Sequence, residues 1–158
     1  MKLILSFVAA FIFFFQSDIE TLRSSYAKAN ESNANTESFI DTAEKQSGSD
    51  AVTLGYKAAA KIMEAKVSKS NRKALVKTGA TSLESIIKSN PNNAELRLIR
   101  LSVQENIPKI VGYRGSLKDD KAFLLSNYSK QNAALKNYIK RFAMQSKTIT
   151  EAERATLK

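Results

Sequence analysis

Few residues in this chain have the types and spacing for chemistry, and most of them lie between Asn92 and Leu125. Arg97, Arg100 and Gln104 fall at i, i+3 and i+7, which on a helix puts them within about 60° of one another. Leu96, Leu98, Ile99, Leu101 and Val103 occupy the remaining circumference. A helix that apolar is buried, so its two guanidinium groups must be paired or face a polar opening. Two readings stay open. In one, Arg97 or Arg100 forms a forked pair with Asp119 or Asp120 and fixes two helices together. In the other, both arginines, with Gln104, Tyr113 and Asp120, form an anion or partner site that grips phosphate, sulfate or carboxylate.

Other chemistry has little to rest on. Histidine and cysteine are both absent, which removes the commonest general base, the usual zinc ligands and every thiol nucleophile. No metal site and no cofactor is expected. Asp119 and Asp120 look like a carboxylate dyad, but adjacent helical residues point about 100° apart. A first-turn position suits acids through the helix dipole instead. An enzyme would have to be built on Asp120, Lys121 or Tyr113, and no catalytic motif accompanies them.

The second conspicuous group is basic: Lys57, Lys61, Lys66, Lys69, Arg72, Lys73 and Lys77, with Glu64 the one acid among them. Such a run coats one side of a helical hairpin and its loop. It reads either as a solvated face or as a surface for anionic lipid or polymer. Tyr56 alone stands beside it, so stacking on single-stranded nucleic acid has no support. The net charge of +10 is uneven. Residues 18–56 carry three Lys/Arg against seven Asp/Glu, whereas residues 57–158 carry 21 against eight.

The elements that position these residues follow from the helical period, since strand-like alternation is missing and only five glycines and two prolines interrupt the chain. Helices are expected from about Asp18 to Ala29, opened by Ser17-x-x-Glu20, and from Thr36 to Gln46 after a polar linker. A third is capped by Ser49, with Val52, Tyr56, Ala59 and Met63 on one face. A fourth carries Leu75, Gly79, Leu83 and Ile86 inward and stops at Asn90-Pro91. The fifth spans about Asn93 to Glu105. Ser116-x-x-Asp119 opens a sixth, the seventh places Leu135, Tyr138, Ile139 and Phe142 in register, and Thr148-x-x-Glu151 caps a short last one. Leu54-Gly55-Tyr56-Lys57 and Val111-Gly112-Tyr113-Arg114 share a pattern, read as coincidence or a common packing device.

Seven to eight helices with short connections, the short terminal ones included, give an all-α fold of stacked antiparallel hairpins, tetratricopeptide-like or an irregular bundle. The junction Asn90-Pro91-Asn92-Asn93-Ala94-Glu95 resembles the seam between tetratricopeptide repeats. Arg97, Arg100, Leu101 and Gln104 stand where that repeat's Trp, Leu, Gly and Tyr belong, so a true array is not expected.

At the N-terminus, Lys2 precedes the apolar run Leu3–Phe15, then Gln16, Ser17 and Asp18. This is the layout of a secretory signal, and it is shorter than the roughly 20 residues of a spanning helix. Residues 1–17 are read as the signal and 18–158 as one helical domain, with 147–158 expected to fray. The chain is expected to be periplasmic or secreted, or retained at the membrane if the signal is not cleaved.

From Leu54 to about Tyr128 the chain also resembles a family of short, signal-bearing, all-helical bacterial proteins. The residues that carry the likeness are Leu54-Gly55-Tyr56, Asn93-x-Glu95-Leu96-Arg97, Arg100, Gln104-x-Asn106-x-Pro108, Gly112-Tyr113, Asp120-Lys121 and Phe123-Leu124. The resemblance implies an exported all-α domain and supplies no activity. The functional expectation is a non-enzymatic exported interaction domain binding a protein or envelope component. The alternative is an electrostatic binder of anionic lipid or polymer, and a carboxylate- or lysine-based enzyme ranks last.

Overall fold

A computed structural model describes residues 18–158, and these are all helix and connecting turn. The helices are α1 (18–28), α2 (Asn33–Lys45), α3 (Ala51–Val67), α4 (Arg72–Ser89), α5 (Ala94–Asn106), α6 (Leu117–Asn127), α7 (Ala133–Gln145) and α8 (Glu151–Arg154). Single 3-10 turns cover Lys109–Val111 and Tyr128–Lys130. The all-α expectation holds. The expected signal and the Ser17 cap lie outside the described residues. No described helix is long and apolar enough to cross a membrane.

Where starts and stops differ from expectation, a neighbouring residue caps better. α2 begins three residues early because Ser32 accepts the Asn35 N–H at 3.0 Å. Thr36, expected at its start, is instead buried and donates its hydroxyl to the Ala29 carbonyl at 2.7 Å. Asp50 rather than Ser49 caps α3, taking the N–H groups of Val52 and Thr53. The reciprocal box that opens α8 is Thr150 with Glu153, two residues beyond the expected Thr148 and Glu151. Ser116 precedes α6 without a side-chain cap; its N–H goes to Gln104 instead.

Sequential helices pack as neighbours, α2 on α3, α3 on α4 and α5 on α6, and α3 crosses to α5. The α3–α4 contact is close because Gly79 lets it be so. A Cβ at that position would lie 2.7 Å from the Ala58 carbonyl oxygen and 2.9 Å from the Ile62 nitrogen, both backbone atoms. Gly55 faces α5, where an added Cβ would meet the Leu96 side chain. Gly112 serves another purpose: its φ of 76° ends the 3-10 turn in the left-handed region, with open space around it. The two Gly-Tyr patterns therefore sit in different elements, one mid-helix and one in a turn, and share no packing role.

Helix α5 joins two hydrophobic cores. Leu96, Ile99, Val103 and Ile107 pack with α1–α4. Ala94, Leu98 and Leu101 pack with α6–α8 through Leu124, Tyr128, Leu135, Tyr138 and Ile139. From Ala94 to Glu105 only Arg97 is not fully buried. Burial of each Leu or Ile here contributes about 1.5–3 kcal/mol of transfer free energy. The expected frayed end is instead docked, with Ile149 and Leu157 buried in the second core. Lys121 reaches Glu153 of α8 at 2.8 Å.

Candidate functional site: the polar residues of the central helix

Three side chains on α5 that carry or share charge point to three different neighbours. Glu95, Arg100 and Glu105 are five residues apart, so successive ones turn by about 140° around the helix. All three are buried.

Arg100 is the centre of the site expected from the sequence. Its Nε and Nη2 donate to the two oxygens of Asp120 on α6, each at 2.7 Å. Its Nη1 donates to Glu84 on α4 at 2.5 Å. The other Glu84 oxygen accepts the Tyr113 hydroxyl at 2.6 Å. Burial works against the Arg100 cation, but Asp120 and Glu84 outweigh it and its pKa is raised. The Tyr113 hydroxyl is also pushed up, by burial and by the Glu84 carboxylate that it donates to.

Arg97 is half-buried. It donates to the same Asp120 at 3.1 Å and to the Pro91 carbonyl at 3.1 Å, and its guanidinium lies 5.0 Å from the centre of the Phe123 ring. Gln104 accepts the Ser116 N–H at 3.0 Å, tying α5 to the start of α6. Arg97, Arg100, Gln104, Tyr113 and Asp120 thus come together, but around each other and Glu84. Two guanidinium groups face two carboxylates, and both Asp120 oxygens are engaged. Asp119, one residue away, is exposed. Of the two carboxylates offered by the sequence, it is Asp120 that pairs with Arg100 between α5 and α6.

Glu84 completes this network and was not singled out from the sequence. The signal for it was present: it is the sole carboxylate on α4, among lysines and apolar residues.

A second network was also missed. Arg23 of α1 donates from Nε and Nη2 to Glu95 at 2.8 and 2.7 Å, and the Tyr56 hydroxyl donates to the same carboxylate at 2.8 Å. The Arg23 guanidinium lies 5.5 Å from the centre of the Tyr138 ring. Tyr26 stands beside Tyr56 and donates to the Ile99 carbonyl. Burial and nearby Glu95 push the Tyr56 hydroxyl well above its usual range. At the third position, Glu105 accepts the Ser146 hydroxyl and the Thr148 N–H, which fixes the turn between α7 and α8.

The residues considered for catalysis part company: Asp120 and Tyr113 join through Arg100 and Glu84, while Lys121 turns to Glu153. Among the described residues no group of three carboxylates is placed to hold a metal ion.

The basic cluster lies on the α3–α4 hairpin. Lys57 and Lys61 stand between two shallow grooves of about 250 and 370 Å³. The larger has an apolar floor of Leu54, Ala58 and Ile86, with Thr78 and Ser82 along its α4 side. Lys69, Arg72, Lys73 and Lys77 are exposed; Arg72 donates to the Ser68 carbonyl, Lys61 pairs with Glu64, and Lys66 reaches the Asn30 carbonyl. In comparisons with protein-family models, curated proteins and solved structures, nothing matched this chain.

Proposed function

We propose that this chain is an exported, non-enzymatic helical binding domain whose partner is a negatively charged component of the cell envelope. The observation that carries the reading is how the polar groups divide. The buried arginines and carboxylates with geometry for chemistry are consumed in pairs between helices. Lys57 and Lys61 line two open grooves, and Lys73 and Lys77 are exposed on α4 of the same hairpin. Lys57, Lys61, Lys73 and Lys77 supply the charge, and the apolar floor between α3 and α4 supplies contact area. Export rests on Lys2 and the Leu3–Phe15 run.

The test is binding to heparin and to anionic vesicles across a salt series. Each lysine near an anionic surface contributes about 1 kcal/mol, so the double change Lys73→Glu, Lys77→Glu is expected to weaken binding by tenfold or more. Wild-type binding that is indifferent to salt, or to this double change, would remove the α3–α4 face from the proposal.

A further inference from the structure

The turn between α5 and α6 presents an apolar tip. Ile110 is 96% exposed and Val111 beside it 40%. A single exposed apolar residue is ordinary on a protein surface, but this one is held out by a braced scaffold. The 3-10 turn closes through Val111 N–H to Pro108 and Gly112 N–H to Lys109. Arg114 donates to the carbonyls of Glu105 and Ile107 across the base of the turn. Tyr113 is anchored on Glu84, and Ser116 on Gln104. Four side-chain contacts thus stiffen a segment that holds its isoleucine in water.

We propose that the turn 108–115 is a membrane-contact tip: Ile110 and Val111 enter the headgroup layer of an anionic phospholipid bilayer, and Lys109 meets its phosphates. Charge selects this occupant. Lys109 and Lys118 are both exposed, Arg114 is half-buried on the Glu105 and Ile107 carbonyls, and the nearest exposed carboxylate in sequence is Asp119, after Lys118. Shape selects it too. The tip offers the whole of one apolar side chain, Ile110, and part of a second, Val111. A stable protein interface needs about 800 Å² on each partner. A bilayer has no such threshold, because partition grows with whatever apolar area and charge are presented. A second copy of the chain is disfavoured by its own net charge of +10. The tip belongs to a different segment from the α3–α4 lysines, so either surface can fail without the other.

The chain contains no tryptophan, which makes a local reporter simple. Ile110→Trp, in the full chain as isolated from its host, is titrated with phosphatidylcholine vesicles with and without phosphatidylglycerol. Met144→Trp, at a second exposed apolar position on α7, is the control. The expected result is a blue shift and quenching by brominated lipid at position 110, with anionic vesicles, and neither at position 144. Adding Lys109→Glu to Ile110→Trp should weaken the titration about fivefold. Membrane binding through Leu3–Phe15 or through the α3–α4 lysines would leave the 110 emission unshifted, and that outcome overturns the tip. A shift at 110 that follows protein concentration without vesicles would mean a contact between copies, and also overturns it.

Discussion

Asp120 takes both the Nε and Nη2 of Arg100 at 2.7 Å, with its carboxylate fully buried between α5 and α6. A buried pair of this kind is informative mainly when it is broken. Its formation offsets the desolvation of two ions, but removal of one partner leaves the other uncompensated.

Asp120→Asn is therefore expected to cost about 3–5 kcal/mol, because Arg100 stays buried and keeps only Glu84 as a charged partner. Replacing both residues by apolar ones of similar volume should cost much less than Asp120→Asn alone. Urea unfolding of the two variants decides it; a loss for Asp120→Asn below about 1 kcal/mol would show the pair to be incidental.

The two helical glycines should respond differently to alanine. Gly→Ala within a helix gains about 1 kcal/mol of propensity. At Gly79 the new Cβ meets backbone of α3 and overpacking costs about 1–3 kcal/mol, so Gly79→Ala should be net destabilising. At Gly55 it meets the end of the buried Leu96 side chain rather than backbone, and the net change should be smaller. Thermal melts of the two variants rank them.

Acid should loosen the docking of α8 on α6. Lys121 and the Thr150 N–H hold the Glu153 carboxyl down at about 2, against its ordinary 4.5. A lowered folded pKa gives stability that is present above the unfolded value and lost as pH falls through the folded one. The α8 contact is thus expected to weaken between about pH 4.5 and 2, seen as faster amide exchange around Ile149 and Leu157. Glu153→Gln should abolish that pH step. Persistence of the step in this variant would assign it to another carboxylate.

At the alkaline end, Tyr26, Tyr56, Tyr113 and Tyr138 are all raised above the ordinary value of 10.0, burial being the first cause in each. Folding favours their neutral form, so their contribution holds below pH 10 and falls as pH rises beyond it. Phenolate absorbance from these four should appear together with unfolding rather than as separate titrations. Smooth ionisation near pH 10 in the folded chain would place the hydroxyls in water.

What the sequence revealed depended on how local the cause was. The stripe of Arg97, Arg100 and Gln104 was legible because three positions on one helix fix their own geometry. Its partner was narrowed to Asp119 or Asp120, and the start of α6 decided between them. Glu84 was not legible, because its approach to Arg100 depends on where α4 sits, and Gly79 against α3 sets that. Glu95 and Glu105 were hidden by the apolar residues around them; only the packed fold shows which helix each one faces. Helix starts slipped where two capping residues competed, as at Ser49 and Asp50 or Thr148 and Thr150.

Because α5 supplies a wall to both cores, neither half of the chain is complete without it. A fragment ending before Ala94 leaves Tyr56 and Phe39 without Leu96 and Ile99 above them, and loses the Glu95 that neutralises Arg23. A fragment beginning after Asn106 leaves Leu124, Tyr138 and Ile139 facing solvent where Leu98 and Leu101 had been. Both cores therefore depend on the same helix for their packing.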